Sequence, residues 1–255
     1  MAWLSDKLKG RSFKLPYDFL AGSLPASSKT TPYQENEQIQ ILELQYFFVS
    51  LKKTLSGIFM KKAATTRLTI LQKAFELIYV KGYQTTSIDD IIATTQVTKG
   101  AFYYHFKNKD EMGLAIINEI LKPTLTRSFI EPLQNEQNPL VAIYNLIHNL
   151  LMENEFLKVE YGCPASNFTQ EMTPWNTDFN SALNEIITQW TKVMTTTIEK
   201  GKENGFIHKD VNAKQVTTFV MSGYWGIRNF GKLENSKKAY LPYLKELKNY
   251  LSTLE

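Results

Sequence analysis

The apolar residues that follow residue 60 are spaced as they are in amphipathic helices. Leu68, Leu71, Phe75 and Ile78 recur every three or four positions, and Gly82 follows as the expected end of that helix. The alternation of apolar and polar residues that is typical of a half-buried strand does not occur convincingly in this part of the chain. The pattern therefore predicts an all-α fold.

A run of short helices is predicted after this first helix. Thr86 or Ser87 supplies an N-cap, because a hydroxyl oxygen accepts a hydrogen bond from a free N–H group of the first turn. The polar residues 94–97 interrupt the pattern, and residues 98–106 form the next short helix. Asn108 is placed to cap another helix. Two short helices behind an amphipathic helix predict a helix-turn-helix.

Longer apolar stripes in the second half predict four further helices, at residues 139–156, 175–204, 212–230 and 238–254. We expect a helix-turn-helix domain at 60–112, with its motif at 87–106, and a second helical domain at 113–255.

Residues 1–59 form an atypical N-terminal extension, with a polar linker at 27–38 and an apolar helix at 39–59. That helix could touch a membrane or partner, since Lys52 and Lys53 follow its aromatic residues. It could instead pack on the main body. A third alternative is that the extension is translated upstream sequence ahead of a native start at Met60.

Composition narrows the class of protein. Apolar residues make up 43% and charged residues 21%, which is near the average of globular proteins. A lone Cys163 cannot form an internal disulfide, and no segment has the roughly 18 uncharged apolar residues of a membrane span, so we expect a cytoplasmic protein without a membrane partner. Residues 60–112 hold eight Lys/Arg against five Asp/Glu, so +3 of the net +4 lies on the helix-turn-helix.

The second short helix of the motif presents groups that suit phosphate. Hydroxyls, a lysine and an imidazole lie on a compact segment, and Gly100 allows backbone to approach a phosphate or base edge. Phe102 and Phe106, four residues apart, would face inward and hold this helix on its neighbours.

Residues 81–112 resemble the DNA-binding domain of TetR-family transcriptional regulators. Both the Lys-Gly-Tyr-x-x-Thr-Ser-Ile opening and the Thr-Lys-Gly-x-Phe-Tyr-Tyr-His-Phe-x-x-Lys core match the family pattern. The resemblance implies a homodimer that binds double-stranded operator DNA, is released by an unknown small molecule, and has no cofactor. It also implies that 212–230 and 238–254 form the dimer interface, although those helices could instead pack within one subunit.

The resemblance assigns DNA contacts residue by residue. It places Thr98, Lys99 and Ala101 nearest the bases or flanking backbone, beside Gly100. The residues that it places on phosphates are Thr86, Tyr103, Tyr104, His105 and Lys109. One departure is that Thr95 and Gln96 stand where the family commonly has Ala-Gly. A positive φ at Gln96 would cost about 1–2 kcal/mol, so we expect a slightly different turn.

Aromatic residues with polar groups are numerous in the middle helices, where the family has its effector pocket, and they could equally be core. The candidate ligand-binding residues are Tyr144, His148, Cys163, Phe168, Trp175, Phe179, Trp190 and Tyr224, to which Trp225 is added as a neighbour.

Cys163 precedes a predicted short helix, and a helix N-terminus lowers the pKa of a thiol, so an electrophile or redox sensor is one alternative. A small buried residue in a turn is the other. We expect neither an enzyme nor a metal site, because no nucleophile triad, phosphate loop or metal-ligand spacing occurs. The alternative from a different functional class is a helical interaction module without sequence-specific DNA binding.

Overall fold

The all-α prediction is confirmed for residues 62–134 and 137–255, the parts of the chain that the computed structural model describes. The predictions for residues 1–59 lie outside the described residues. The first three described helices form the predicted helix-turn-helix head: α1 Lys62–Lys81, α2 Ile88–Ala93 and α3 Lys99–His105.

Local side-chain chemistry sets the ends of these helices. Gly82 ends α1 with a φ of 94°, and its N–H donates to the Ile78 carbonyl at 2.8 Å. Ser87, rather than Thr86, caps α2. The Ser87 hydroxyl accepts from the Asp90 N–H at 3.0 Å, and the Asp90 carboxylate accepts from the Ser87 N–H at 2.9 Å, which completes a capping box.

The turn between α2 and α3 is made without backbone strain. The Thr95 hydroxyl donates to the Ile92 carbonyl at 3.0 Å and accepts from the Val97 N–H at 3.2 Å. Asn235 alone has a positive φ among the described residues other than glycine, so Gln96 does not adopt the left-handed conformation. The expectation of a different turn is therefore confirmed.

Apolar packing fixes α3 on the other two helices of the head. Phe102 and Phe106 are buried as predicted, with ring centroids 5.8 Å apart, and they join Phe75 and Ile91 in the core. The Arg67 guanidinium lies 4.9 Å from the centroid of the Phe106 ring. The outer side of α3 is consequently held at the surface.

The rest of the described chain is a helical body. Its α-helices are α4 Lys109–Ile116, α5 Lys122–Phe129, α6 Pro139–His148, α7 Pro164–Met172, α8 Thr177–Glu203, α9 Ala213–Glu234 and α10 Tyr240–Ser252. Two π-helical turns, Ile117–Leu121 and Asn149–Glu153, follow α4 and α6, and two 3₁₀ turns, Glu131–Gln134 and Lys237–Ala239, precede α6 and α10.

The end of one predicted helix and the π-helical turn before α5 have identifiable causes. The helix predicted at 139–156 ends at residue 153, because the Asn154 side chain accepts from the N–H groups of Phe156 and Leu157 at 3.0 and 3.2 Å and turns the chain. The π-helical turn before α5 precedes Pro123, which lacks an N–H and crowds the carbonyl of Glu119.

Tyr83 joins the head to the body. It lies in the loop after α1, and its ring packs on Phe168 of α7 and Phe179 of α8 at centroid distances of 5.6 and 5.3 Å. Its hydroxyl donates to the Asp110 carboxylate at 2.5 Å. The next residue, Gln84, donates its backbone N–H to the Glu171 carboxylate at 2.8 Å. Both α7 and α8 therefore hold the loop that leads into α2.

The Gly113→Ala substitution tests how tightly this junction is packed. A Cβ at Gly113 would stand 2.6 Å from Phe179 Cζ and 2.8 Å from Tyr83 Cε2, and both rings are buried. Because such overpacking displaces packed side chains, we expect the free energy of unfolding to fall by about 1–3 kcal/mol in urea titrations. Gly100→Ala is the control, since no atom lies within 4 Å of its Cβ. Equal stability of the two variants would contradict the packing described here.

Candidate DNA-binding surface and buried cavity

The outer side of α3 is polar and accessible. Thr98 caps α3 by accepting from the Ala101 N–H at 3.2 Å, which leaves its hydroxyl hydrogen free to donate elsewhere. Tyr104 is 79% exposed, so its ring and hydroxyl stand clear of the head. Of the other predicted residues, three are exposed (Lys99, Gly100 and Tyr103) and two are half-buried (Ala101 and His105).

Lys99 lies in an ion pair with an acidic residue of α2. Its Nζ is 2.8 Å from a carboxylate oxygen of Asp89, and both side chains are largely exposed. The hydrogen bond to Asp89, with the attraction of its charge, raises the pKa of Lys99. A phosphate that approaches Lys99 must therefore compete with Asp89.

Lys109 and Thr86 are held more tightly than the other predicted contacts. Lys109 Nζ lies 4.3 Å from the centroid of the Tyr83 ring, and burial lowers its pKa. Thr86 is only 1% exposed and donates its hydroxyl to the Gly82 carbonyl at 2.7 Å. The structure thus corrects the predicted phosphate contact of the Thr86 side chain, which instead closes the loop after α1.

A small cavity lies inside the body. The space open to the centre of a water-sized sphere is about 10 Å³. The side chains around the cavity are therefore nearly in contact. The apolar part of its wall comes from α5, α8 and α9 and consists of Leu125, Phe129, Ile130, Ile186, Ile187 and Trp225. Cys163, Ala165, Thr126 and Trp190 complete the wall.

Three of the eight predicted ligand-binding residues gather at this cavity. Cys163 and Trp190 line it, and the Tyr224 ring is 5.6 Å from both Trp190 and Phe129. The other five lie elsewhere, because helical spacing does not show which face of a body helix a cavity will meet. Trp175 is 82% exposed in the turn before α8, Phe168 and Phe179 pack on Tyr83, and Tyr144 and His148 pack on each other in α6.

Cys163 does not have the lowered thiol pKa that its place before α7 predicts. It is the N-cap residue of α7 and is buried, and burial raises the pKa of the thiol. Hydrogen bonds from the backbone N–H groups of Ser166 and Ala165 act in the opposite direction but do not offset burial. Of the two alternatives for Cys163, burial favours the small buried residue in a turn, which here forms part of an apolar wall.

Sequence reasoning missed Glu171, Phe129 and Arg228. Glu171 and Phe129 carry no motif, and only the fold shows what they touch. The burial of Arg228 could have been predicted from its position in the sequence. It stands four residues after Tyr224 and eight after Val220, so a charged residue continues the buried stripe of α9.

None of the helices in the described ranges combines the length and the hydropathy that a bilayer span requires. In the same ranges, no group of three or more His, Cys, Asp or Glu residues could hold a metal ion.

Comparison with known proteins matches both parts of the described chain. The family model for bacterial regulatory proteins of the tetR family matches residues 70–116. A second model, for a tetracyclin repressor-like C-terminal domain, matches residues 140–245. The first match contains α2, α3 and the junction with α1, and the second contains most of the body.

Individual proteins show the same likeness. An uncharacterized HTH-type transcriptional regulator in the lacX 3' region of Lactococcus lactis subsp. lactis is 32% identical over 127 residues, which cover 50% of this chain and 65% of the relative. The HTH-type transcriptional repressor DhaR of Mycobacterium sp. (strain GP1) is 25% identical, over 66% of this chain and 83% of the relative. A TetR transcriptional regulator from Chloroflexus aurantiacus shares the fold, with a TM-score of 0.69 at 22% identity over 76% of this chain and 98% of that one.

The head has a buried aromatic core that holds a polar helix at the surface, and a separate helical body follows it. This is the arrangement of a helix-turn-helix DNA-binding transcriptional regulator. Because family models match both the head and most of the body, the chain belongs to the TetR family.

Asp89→Asn tests the ion pair at the DNA-binding surface. Removing the carboxylate frees Lys99 and subtracts a repulsive charge, so we expect binding to mixed-sequence duplex DNA to strengthen about 2–5-fold at low salt. The gain should shrink as salt rises, since exposed charges are screened. Fluorescence anisotropy measures the affinity for DNA. Asp210→Asn, the same change in an exposed loop of the body, is the control. Equal affinities of the two variants would show that Asp89 does not restrain Lys99.

Proposed function

We propose that this regulator is a homodimeric repressor that a small organic molecule releases from operator DNA. The observation that carries the proposal is the placement of α3, whose two phenylalanines are buried while its lysine and tyrosines remain accessible. The likeness to the repressor DhaR supports repression.

The proposed DNA contacts follow from this surface. Thr98, Lys99, Gly100 and Ala101 form the first turn of α3 and its cap, where free N–H groups and a cation suit a base edge or phosphate. The phosphate contacts further along are assigned to Tyr103, Tyr104, His105 and Lys109. Thr86 takes part only by shaping the loop that leads into α2.

The dimer is proposed through α9 and α10, which contain the segments predicted for this role. These two helices carry four large apolar side chains that one chain leaves exposed: Phe219, Phe230, Leu233 and Leu241. Apolar side chains that recur on adjacent helices are typical of an interface between subunits. A symmetric dimer would place two copies of α3 on half-sites about 34–36 Å apart.

Helix α7 offers a route between the cavity and the head. Cys163 and Ala165 at its beginning line the cavity, and Glu171 near its end accepts from the Gln84 N–H of the head. Because the cavity is nearly closed, a ligand of several atoms must displace wall side chains. A ligand that binds more tightly when the wall side chains are displaced shifts the protein toward that arrangement. A ligand with equal affinity for the two arrangements of the wall would shift nothing.

Electrophoretic mobility shift with the DNA upstream of the protein's own gene tests the proposed function. We expect Lys99→Ala to weaken binding at least tenfold and to reduce the salt slope by about two units, because each subunit of the dimer loses one cationic contact. Lys209→Ala, in an exposed loop of the body, is the charge-matched control and should bind as the wild type does.

Both variants should sediment at twice the mass of one chain, as the proposed dimer requires. The repressor proposal would fail if the wild type bound this DNA no better than mixed-sequence DNA, a result that would favour a helical interaction module.

A further inference from the structure

Arg228 is a buried cation without an acidic partner in the described part of the chain. It is 1% exposed on α9, its hydrogen bonds all go to carbonyl oxygens, and its guanidinium lies 5.9 Å from the centroid of the Tyr240 ring. Nη2 donates to Gly162 at 2.6 Å and to Lys158 at 2.9 Å, and Nη1 lies 3.4 Å from the Leu157 carbonyl. A guanidinium stays charged in proteins, so this region of the body carries a positive charge that carbonyl dipoles offset only in part.

The groups around Arg228 are donors that lack acceptors. Trp190 Nε1, Arg228 Nε and the hydroxyls of Tyr224 and Tyr240 are buried and have no hydrogen-bond partner among the described residues. The nearby Gly162 carbonyl is already shared, since it also accepts from the Tyr79 hydroxyl at 2.6 Å. Burial raises the pKa of the Tyr224 phenol, which therefore keeps its proton to donate. Buried donors without acceptors are unfavourable. A ligand that brings an acceptor to them therefore gains binding free energy.

This donor cluster adjoins the cavity. Trp190 belongs to both, since it lines the cavity and carries one of the unpartnered donors. The Tyr224 ring packs edge-on against Trp190 at 5.6 Å, and Arg228 follows one helical turn later on α9. Cys163, another wall residue, directly follows the glycine that Arg228 binds. The unpartnered donors thus lie next to the cavity, and Trp190 is the one of them that lines its wall.

We propose that the effector is a small organic acid, with its carboxylate at Trp190 and Tyr224 and its apolar body against Phe129 and Ile186. Arg228 supplies the charge that selects an anion over a neutral molecule. This inference rests on the proposed function, because it takes the cavity to be the effector site.

The cluster explains why an acid would be preferred to its amide. A carboxylate offers two acceptor oxygens and a negative charge, and it donates nothing to a region that already has unpaired donors. A carboxamide has one acceptor oxygen and no charge, so it gains nothing from the charge of Arg228 and leaves more of the donors unpaired. Its affinity should therefore fall although its size is nearly the same.

Calorimetric titration of the full-length protein at pH 7 tests this preference. The probes are benzoate, phenylacetate and 4-methylpentanoate, each compared with its neutral amide. We expect at least one acid to bind about tenfold more tightly than its amide, as a charged hydrogen bond implies. Failure of all three acids to bind, or equal affinity of acid and amide, would overturn the inference.

Tyr224→Phe locates the binding site without disturbing the fold. Since Arg228 also holds three carbonyls, its own replacement could unfold the chain, whereas Tyr224→Phe removes only a hydroxyl that has no partner in the described chain. We expect this variant to lose about tenfold in acid affinity and to leave amide affinity unchanged. Tyr144→Phe, a tyrosine of α6 outside the cavity wall, is the control. Unchanged acid affinity in Tyr224→Phe would exclude this site.

Mobility shift with the upstream DNA separates this inference from the proposed function. Release of DNA by the amides as readily as by the acids would retain a ligand-released repressor and refute the anionic effector. An acid that binds through Tyr224 but leaves the DNA complex intact would support the acid site and refute its role as the effector site.

Discussion

The packing of Tyr83 between the head and the body is the contact on which the rest of the structure depends. Its ring fills the space between Phe168 and Phe179, and its hydroxyl reaches Asp110 at the start of α4. Full burial of an aromatic side chain contributes about 1.5–3 kcal/mol, which is a large share of the stability of a domain. Tyr83 directly follows the glycine that ends α1, so it helps to fix where α2 and α3 stand relative to the body, together with Tyr79 of α1, whose hydroxyl donates to the Gly162 carbonyl.

Helix α7 extends this constraint to the cavity. It begins beside the cavity wall and ends where Glu171 accepts the Gln84 N–H, so one short rigid element touches both places. The body also holds a buried Arg228 whose hydrogen bonds all go to carbonyl groups, and a nearly closed cavity beside unpaired donors. An anion that entered would satisfy those donors only by displacing the wall. In the proposed mechanism, binding of the anion at the beginning of α7 is coupled through this helix to the head at its end.

Features that depend on a few consecutive residues could be predicted from the sequence. The caps at Ser87, one of two candidates, and at Asn108 and the inward pair Phe102 and Phe106 are local, and the structure has them in those roles. Predictions that depended on tertiary packing were less successful. Nothing in the spacing of Trp175 shows that it lies exposed in a turn, and the Thr86 hydroxyl, expected to cap α2 or contact phosphate, instead closes a loop. Burial likewise reverses the expected thiol pKa at Cys163.

The central claim is that the head is held on the body through the loop after α1, so that the two move together. Native-state hydrogen exchange of the Gln84 backbone amide tests it most directly, because Gln84 is exposed and its only acceptor is the Glu171 carboxylate of α7. The account predicts slow exchange, with a free energy of opening close to that of the core amides of α8. Exchange at the rate of an unprotected loop amide, while α8 stays protected, would show that the head opens independently and would contradict the account.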